Sequence, residues 1–318
     1  MSQRKSCLIV GAGMAGLTAA GVLSQAGWEA VLFDKGHSAG GRMATRRLGQ
    51  SRFDHGAQFF TVRDARFQEA VGRWKSHGWV KPWFVDDGHV RYCGVEGMSG
   101  IMKELAKPFD LRLETKVESV KPLGKGWGVR THTGEQMVAD TLLLTPPGPQ
   151  STALLVECVD RLPPGIVSVL NSIVYNPCLA LLASFDGPSR VPPPGYIRPD
   201  NGPIAFIADN TQKGISTGPA ALTIHAQADF ARDNFDSPED EVAQLLLTGA
   251  RPWFEGEPLT WQLHRWKYSQ PVSNIPEQCL FTQDPAPLAF AGDAYGAARI
   301  EGAFLSGLAA AEQILAAG

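Results

Sequence analysis

The fold class follows from Leu8-Ile9-Val10-Gly11-Ala12-Gly13-Met14-Ala15-Gly16. It joins a short apolar run to three glycines in the spacing GxGxxG, and good helix formers follow at 17–26. Gly27 ends the predicted helix, and a second apolar run covers 29–34. This order of strand, glycine turn, helix and strand predicts a βαβ unit of the Rossmann type.

The glycine turn also predicts a ligand. Gly11 permits the tight turn, Gly13 lets the backbone approach a pyrophosphate, and Gly16 lets helix and strand pack closely. The pyrophosphate would lie at the helix N-terminus, where unpaired N–H groups and the helix dipole attract anions. Asp34, at the end of the second strand, can accept hydrogen bonds from a ribose diol. The pattern indicates a bound dinucleotide and leaves open whether it is NAD or FAD.

Three further segments bear on that choice. Gly40-Gly41-Arg42 combines a close backbone approach with a guanidinium fork that suits a phosphate. The segment 54–60, Asp-His-Gly-Ala-Gln-Phe-Phe, places small residues where a flat ring could lie against the backbone. Near the C-terminus, 291–293 (Ala-Gly-Asp) ends a strand, and 299–303 (Arg-Ile-Glu-Gly-Ala) opens the last helix.

In chain order, these motifs resemble a known family. GxGxxG with Asp34, GGR, DxGAQxF, a strand around Val117, Thr-Pro-Pro at 145–147 and GD…xEGAxxSG are similar to the flavin amine oxidase superfamily and, within it, to the bacterial renalases. The resemblance is strong at both ends of the chain and weak in the middle. It implies FAD as the cofactor. Several relatives attach the flavin through a cysteine near the last motif, and no cysteine follows Cys279, so we expect noncovalent FAD.

The resemblance further implies a role for each motif in holding FAD. The glycine turn would hold the pyrophosphate, Asp34 the adenosine ribose, and Arg42 would lie near the phosphates. The backbone of Val117 would meet the adenine, and Asp293 would bond to the ribityl or phosphate portion.

The same resemblance places the isoalloxazine beside 57–60. The helix that starts near Glu301 would direct its N-terminus at flavin N1 and C2=O, where it stabilises the anion of the reduced ring. The predicted cofactor residues are Gly11, Ala12, Gly13, Met14, Ala15, Gly16, Asp34, Lys35, Gly41, Arg42, Met43, Gly56, Ala57, Gln58, Phe59, Phe60, Val117, Gly292, Asp293, Ile300, Glu301 and Ala303.

The predicted substrate residues rest on one difference from the amine oxidase motif, on the strand that carries Trp266 and Tyr268, and on the histidines. Amine-oxidising relatives place an aromatic residue two positions before the Glu of EGA, and this chain has Arg299, a cation that repels an ammonium and attracts a phosphate. Trp266 and Tyr268 share one face of a predicted strand and either line the substrate site or pack in the core. His225 and His55 are either bases or structural side chains. The predicted substrate residues are Arg299, Trp266, Tyr268 and His225.

Two domains are expected. The fold class is α/β, a Rossmann-type FAD-binding domain with an inserted, mainly antiparallel β substrate domain plus helices. The FAD-binding domain takes 1–75, 98–150 and 275–318, and the substrate domain takes 76–97 and 151–274. Helices are predicted at 66–77, 100–107 and 301–317, with strands at 111–120, 178–185, 220–226 and 259–266. A further helix begins with Ser237 as N-cap and Pro238 at its first position.

Composition excludes several classes of protein. The net charge of −3 argues against a nucleic-acid partner. The apolar runs are too short to cross a membrane or to form a signal peptide, so we expect a cytoplasmic protein. The cysteines and histidines lack metal-ligand spacing, so no metal is expected.

The resemblance implies an oxidase of dihydronicotinamide dinucleotides. It would convert the 2- and 6-dihydro isomers of NAD(P)H to NAD(P)+ and reduce O2 to hydrogen peroxide, so its partners would be O2 and a phosphate-bearing dinucleotide. Alternatives are a flavin amine oxidase for a small amine, a non-catalytic flavin-binding redox protein and an NAD-dependent dehydrogenase. The isomer preference, NAD or NADP, and the oligomeric state stay open. A run of arginines is either a solvated surface or a site for the substrate phosphate: Arg46, Arg47, Arg52, Arg63, Arg66 and Arg73.

Overall fold

The structure is a computed structural model that describes residues 4–318, so residues 1–3 of the predicted FAD-binding domain lie outside it. The strands are β1 Ser6–Val10, β2 Glu29–Phe33, β3 Thr45–Leu48, β4 Ser51–Asp54, β5 Val80–Asp86, β6 His89–Gly94, β7 Asp110–Arg112, β8 Val117–Leu123, β9 Gly126–Thr131, β10 Gln136–Ala139, β11 Thr141–Leu144, β12 Tyr175–Phe185, β13 Tyr196–Ile197, β14 Ile204–Asp209, β15 Ala220–Ala226, β16 Pro258–Pro271, β17 Leu280–Thr282 and β18 Leu288–Phe290. The helices are α1 Met14–Gln25, α2 Ala65–Ser76, α3 Met98–Ala106, α4 Gly148–Leu154, α5 Pro164–Ser172, α6 Ala228–Asp233, α7 Glu239–Ala250 and α8 Ile300–Ala317.

A six-stranded sheet confirms the expected Rossmann architecture. Its order is β17-β18-β11-β1-β2-β7, and every pair except β17–β18 is parallel. The central strands are apolar over nearly their whole length because both faces of the sheet are covered. α1, α2, α3 and α8 pack in the core on one face, and β8, β9, α4 and α5 contribute to the core on the other.

A second sheet has the antiparallel character expected of the middle of the chain. Its order is β13-β14-β15-β12-β16. One face carries apolar side chains such as Leu181, Ile224 and Leu263, which pack against α7. The opposite face carries Ala180, His225 and His264 in one register line. That second face contacts the segment that follows β4, as described below.

Core packing departs from the predicted domain boundary at 150/151. Leu155, Leu162 and Leu170 lie in the same core as Val120 and the Rossmann strands, so the chain through α5 packs with the first sheet. The hairpin β5–β6 also bridges both regions. Its Cys93 lies in the α1–α8 core, whereas the indole of its Trp83 donates a hydrogen bond to the carbonyl of Pro194, just before β13.

Two local predictions were wrong. The stretch 111–120 forms two strands because Glu114 adopts a left-handed φ of 53° and its N–H bonds to Gly36, which interrupts the ladder. Ser237 does not cap α7. Pro238 precedes the first helical residue, and no side chain caps the helix. The acidic first turn, 239–241, interacts favourably with the helix dipole instead.

Helix α8 is long and apolar enough to cross a membrane by length and composition alone. Half of the helix is buried inside the protein. A side chain at Gly307 would overlap the backbone of Ala15, so α8 and α1 pack in close contact. This arrangement is typical of the core helix of a globular domain.

Candidate active site

The glycine turn forms a cradle made of backbone. Gly13 precedes the first residue of α1 and has no capping side chain. A methyl group at Gly13 would meet nothing within 4 Å. At Gly41 the nearest atom would be the Cα of Gly13, at 3.9 Å, so the two backbones face each other across a narrow space. Gly11 has a φ of +101° and lies against the Thr145 hydroxyl, so a side chain there would be both strained and blocked.

Asp34 is fixed beside this cradle. Its Oδ2 accepts a hydrogen bond from the N–H of Ala12 at 2.8 Å, and its Oδ1 accepts one from Gly36 at 2.7 Å. Each carboxylate oxygen has a second lone pair for a ribose hydroxyl. Val117, predicted to meet the adenine, is buried at the start of β8, and Lys35 is exposed.

Arg42 and Asp293 form a bidentate ion pair between two predicted cofactor motifs. Arg42 Nη1 lies 2.6 Å from Asp293 Oδ2, and Nη2 lies 2.6 Å from Oδ1. Arg42 also donates to the carbonyl of Ser269 at 3.0 Å, at the end of β16. Its guanidinium lies 5.7 Å from the ring centre of Tyr175, and burial together with Asp293 raises the pKa of that phenol to about 12. The GGR and GD motifs therefore share a partly buried salt bridge.

A buried ion pair that was not predicted from the sequence anchors the start of the segment 54–60. Asp54 Oδ2 accepts from Lys213 Nζ at 2.7 Å, and both side chains are fully buried. Asp54 Oδ1 accepts from Thr45 Oγ1 at 2.6 Å and from the N–H of Met98 at 2.8 Å. Gln58 Nε2 donates to the carbonyl of Asp54. This network fixes the backbone on which the flavin ring is predicted to lie.

The five-stranded sheet also contacts this segment through the face that carries His225 and His264. Trp266 Nε1 donates to the carbonyl of His55 at 2.8 Å, and His225 Nε2 lies 3.3 Å from the same oxygen. The rings of His55 and Trp266 stack at 5.3 Å, and His264 lies edge-on to both. The structure thus brings together predicted Trp266 and His225 with His264, which was not predicted. Tyr268 extends this face and contacts Tyr175 beside Arg42.

All three histidines are held neutral. Burial lowers the pKa of His225 and of His264 to about 4. It lowers the pKa of His55 to about 3, with further lowering by His264 and Arg46. Near neutral pH the surface formed by Trp266 and these imidazoles is therefore uncharged and aromatic.

The N-terminus of α8, like that of α1, has no capping side chain. Glu301 is buried, and its Oε1 accepts from the N–H groups of Arg63 and Asp64 at 2.6 and 2.8 Å. Its Oε2 lies 3.5 Å from Arg299 Nε. The Glu301 carboxylate is thus used within the protein, and any contact of this turn with flavin falls to its backbone. The charge of Arg299 is partly offset by Glu301.

Three of the six arginines in the run form ion pairs at the surface: Arg52, Arg66 and Arg73. Arg66 pairs with Asp64, and Arg73 pairs with Glu69. Such exposed pairs are typical of a solvated surface. Arg46 is different because it is half-buried and its charge acts on His55.

An open surface groove lies elsewhere. It is lined by Asp200, Asp229, Phe230 and Asp233 and contains none of the predicted site residues. Phe230 packs against the α7 side of the five-stranded sheet, opposite the histidine face.

Comparison with known proteins identifies the family. Residues 75–315 match the family model for flavin containing amine oxidoreductase, and residues 9–73 match that for an NAD(P)-binding Rossmann-like domain. The chain is 26% identical to renalase from Mus musculus over 297 residues, which is 85% of this chain and 86% of that protein.

Two solved structures share the fold. A protein from Exiguobacterium assigned as a protoporphyrinogen oxidase has a TM-score of 0.76 at 15% identity, over 99% of this chain and 100% of that one. Putrescine oxidase bound to putrescine has a TM-score of 0.69 at 15% identity, over 99% of both chains.

The residues present fit FAD. The open space around Gly13, where a side chain would meet no protein atom, leaves room for the close backbone approach that a pyrophosphate needs, and the uncapped N-termini of α1 and α8 suit anionic groups. The segment 57–60, beside which the flavin ring is predicted to lie, follows directly on the hydrogen-bonded network around Asp54, and we call 55–60 the predicted flavin floor. The chain therefore belongs to the flavin containing amine oxidoreductase family, as a renalase homologue whose cofactor is FAD.

Proposed function

We propose that the protein oxidises the 2- and 6-dihydro isomers of NAD(P)H to NAD(P)+ and passes the electrons to O2, giving hydrogen peroxide. The renalase resemblance implies this activity. The observation that carries it is the uncharged, aromatic surface of Trp266, His264 and His225 against the predicted flavin floor.

An uncharged surface suits this substrate for a physical reason. A dihydropyridine is already an activated hydride donor and becomes aromatic when it loses hydride, so the site must position a flat ring more than move a proton. The product ring is a cation. Neutral imidazoles at His225 and His264 do not repel that cation, whereas imidazolium groups would.

FAD supplies the hydride acceptor and the route of electrons to O2. The remaining tasks belong to the chain. The cradle of Gly13 and Gly41 binds the pyrophosphate, Asp34 binds the ribose, and the Arg42–Asp293 pair orients the middle of the cofactor. The network around Asp54 keeps the floor rigid, and the sheet face excludes water from the ring.

The alternative function is oxidation of an amine. Amine binding needs a carboxylate or an aromatic cage for the ammonium. Both buried carboxylates among the predicted flavin motifs have partners within the protein, since Asp54 pairs with Lys213 and Glu301 accepts two backbone N–H bonds. Arg299 occupies the position of one cage wall. These features favour the dinucleotide.

The test is to supply air-saturated holoenzyme with separated 2-, 4- and 6-dihydro isomers and to quantify NAD(P)+ and hydrogen peroxide. We expect equal amounts of the two products from the 2- or 6-isomer and little from the 4-isomer. The proposal would be contradicted if the enzyme oxidised an amine from a test panel and none of the dihydro isomers.

Two matched tryptophan variants locate the reaction. Trp266→Phe removes the indole hydrogen bond to His55 and should lower kcat/KM about tenfold, the value of a net hydrogen bond near 1.4 kcal/mol. Trp261→Phe on the same strand packs on the opposite face and should leave turnover unchanged. Equal effects of both substitutions would argue against a substrate site on the histidine face.

A further inference from the structure

The sheet face that carries His225 continues past it toward the edge strand β13. Phe206 of β14 is the register partner of His225, and Tyr196 of β13 lies on the same face. The rings of Phe206 and Tyr196 are 5.7 Å apart and within 11° of parallel. Both rings are half-buried. The ring of Phe84 also stacks on Tyr196, at 4.1 Å, so the aromatic platform that adjoins the proposed reaction surface is reached from solvent at the exposed Arg198.

Two arginines accompany this platform. The Arg198 guanidinium lies 5.3 Å from the ring centre of Tyr196 and 5.5 Å from that of Phe206, and its side chain is 47% exposed. The Arg91 guanidinium lies 5.7 Å from the ring centre of Phe59, the residue after Gln58. Phe59 in turn lies 6.1 Å from Phe206.

The charge of this cluster is unbalanced. Arg91 and Arg198 share one carboxylate, Asp86, at 3.3 Å each. Arg91 is only 8% exposed, and its Nε has no hydrogen-bond acceptor among residues 4–318. A buried guanidinium N–H without an acceptor is costly, and the charge of Arg91 adds to the positive potential around the exposed Arg198. The cluster thus has a net positive charge and an unsatisfied donor.

Aromatic rings and guanidinium planes are the groups on which nucleic bases stack, and guanidinium groups bind phosphate through charge-assisted hydrogen bonds. We propose that Phe206, Tyr196 and Arg198, backed by Arg91, form a subsite for the adenosine phosphate half of the dinucleotide substrate. This subsite rests on the proposed function, because it is placed to hold the part of the substrate that does not react.

The extent of the face supports this assignment. From His264 on β16 to Tyr196 on β13, the line crosses β12, β15 and β14, which is four strand spacings or about 19 Å. Between these ends the segment 54–60 packs on the face, since Ala180 is fully buried and His225 lies against the carbonyl of His55. The two ends are separated by a distance that two rings joined by a pyrophosphate can span, with the nicotinamide at the Trp266 end.

The test measures ADP-ribose binding to FAD-saturated holoenzyme by calorimetry, so that the cofactor cradle is already filled. Wild type should bind, and Arg198→Gln should weaken binding about tenfold, since a charge-assisted hydrogen bond contributes about 1.5 kcal/mol or more. Arg190→Gln is the matched control, because Arg190 is similarly exposed at 56% and paired with one carboxylate, Glu255. The control should bind as wild type does.

Kinetics separate this subsite from the proposed reaction. Arg198→Gln should lower, about tenfold, the ratio of kcat/KM for the reduced dinucleotide to that for borohydride-reduced nicotinamide mononucleotide. Absence of ADP-ribose binding in wild type, or equal binding by Arg198→Gln, would overturn the subsite. ADP-ribose binding that is sensitive to Arg198, in a protein that oxidises neither reduced nucleotide, would instead refute the proposed function and leave the subsite standing.

Discussion

The ammonium of Lys213 lies 2.7 Å from Oδ2 of Asp54, and neither side chain is exposed to solvent. Asp54 ends β4, immediately before the predicted flavin floor, whereas Lys213 lies in the turn between β14 and β15. The pair therefore joins the β3–β4 hairpin to the five-stranded sheet next to the predicted flavin floor. Oδ1 of Asp54 is also saturated, by Thr45 and the N–H of Met98.

Breaking this pair should destabilise the protein strongly. Lys213→Met leaves a buried carboxylate without its cation, a change that typically costs about 3–5 kcal/mol. The measurement is chemical denaturation of the holoenzyme. The double variant Asp54→Asn/Lys213→Met should recover part of the loss because no unpaired charge remains. A loss below about 1 kcal/mol in the single variant would show that the two residues do not form a buried pair.

Gly13→Ala should separate cofactor binding from folding. The Gly13 backbone has a φ of −82°, and a methyl group there meets no protein atom, so the apoprotein should keep its stability. The methyl group would stand where the pyrophosphate approaches, and FAD affinity should fall at least tenfold. FAD titration by fluorescence quenching measures the affinity, and thermal unfolding of the apoprotein measures the stability.

Gly72→Ala is the control for that experiment. Gly72 lies in the middle of α2 with open space around it, so alanine there should stabilise the helix by about 0.5–1 kcal/mol and leave FAD binding unchanged. Equal FAD affinity of Gly13→Ala and Gly72→Ala would place the pyrophosphate elsewhere.

Arg42→Lys should weaken FAD binding despite conserving the charge. A lysine ammonium cannot reproduce the paired bonds to Asp293 together with the bond to Ser269, and a bidentate guanidinium site is not conserved by lysine. We expect about a tenfold faster release of FAD, followed by flavin fluorescence after dilution. An unchanged release rate would mean that the salt bridge does not orient the cofactor.

Stability should fall in mild acid because of the histidine cluster. The folded pKa values of His225 and His264 are about 4, below the ordinary value of 6.5. The unfolded chain therefore binds protons between about pH 6.5 and 4 that the folded state excludes. This contribution to stability is complete above pH 6.5 and is lost as the pH falls through the window.

His264→Gln should flatten that pH dependence. One titrating group can contribute at most about 1.4 kcal/mol per pH unit, and removing His264 removes its share. Urea denaturation from pH 7.5 to 4.5 measures the slope for wild type, for His264→Gln and for the exposed-site control His89→Gln. A slope that changes equally in both variants would indicate that the cluster is not the cause.

Noncovalent attachment of FAD is predicted from the absence of cysteine after residue 279. Acid precipitation of the purified holoenzyme should leave all the flavin in the supernatant. A yellow pellet would contradict the prediction and would direct the search to another nucleophile near the ring.

The sequence predicts the parts of the fold that depend on local chemistry. The turn 11–16 needs glycine for reasons of backbone geometry, and apolar runs such as 141–144 are buried because parallel strands are covered on both faces. Helix boundaries were predicted within a few residues. The prediction that Ser237 caps α7 was wrong because Pro238 occupies the N-cap position.

Trp266 and His225 were predicted singly, but the contacts that build the site could not be predicted, because they join residues far apart in the sequence. Lys213 is a single lysine in a polar turn, and nothing local indicates that it reaches Asp54, 159 residues earlier. The Arg42–Asp293 pair spans 251 residues. His264 joins His55 only because the register of β12 and β16 aligns it with Ala180. Each contact is set by the packing of the two sheets.

Anaerobic mixing of the holoenzyme with borohydride-reduced NAD+, which contains the 2-, 4- and 6-dihydro isomers, tests the proposed oxidation of dihydronicotinamide rings. Pure 4-dihydro NADH and a panel of amines serve as controls, and flavin absorbance is followed. We predict fast bleaching with the mixture alone. Bleaching by an amine and not by the mixture would contradict this account and assign the aromatic face to amine oxidation.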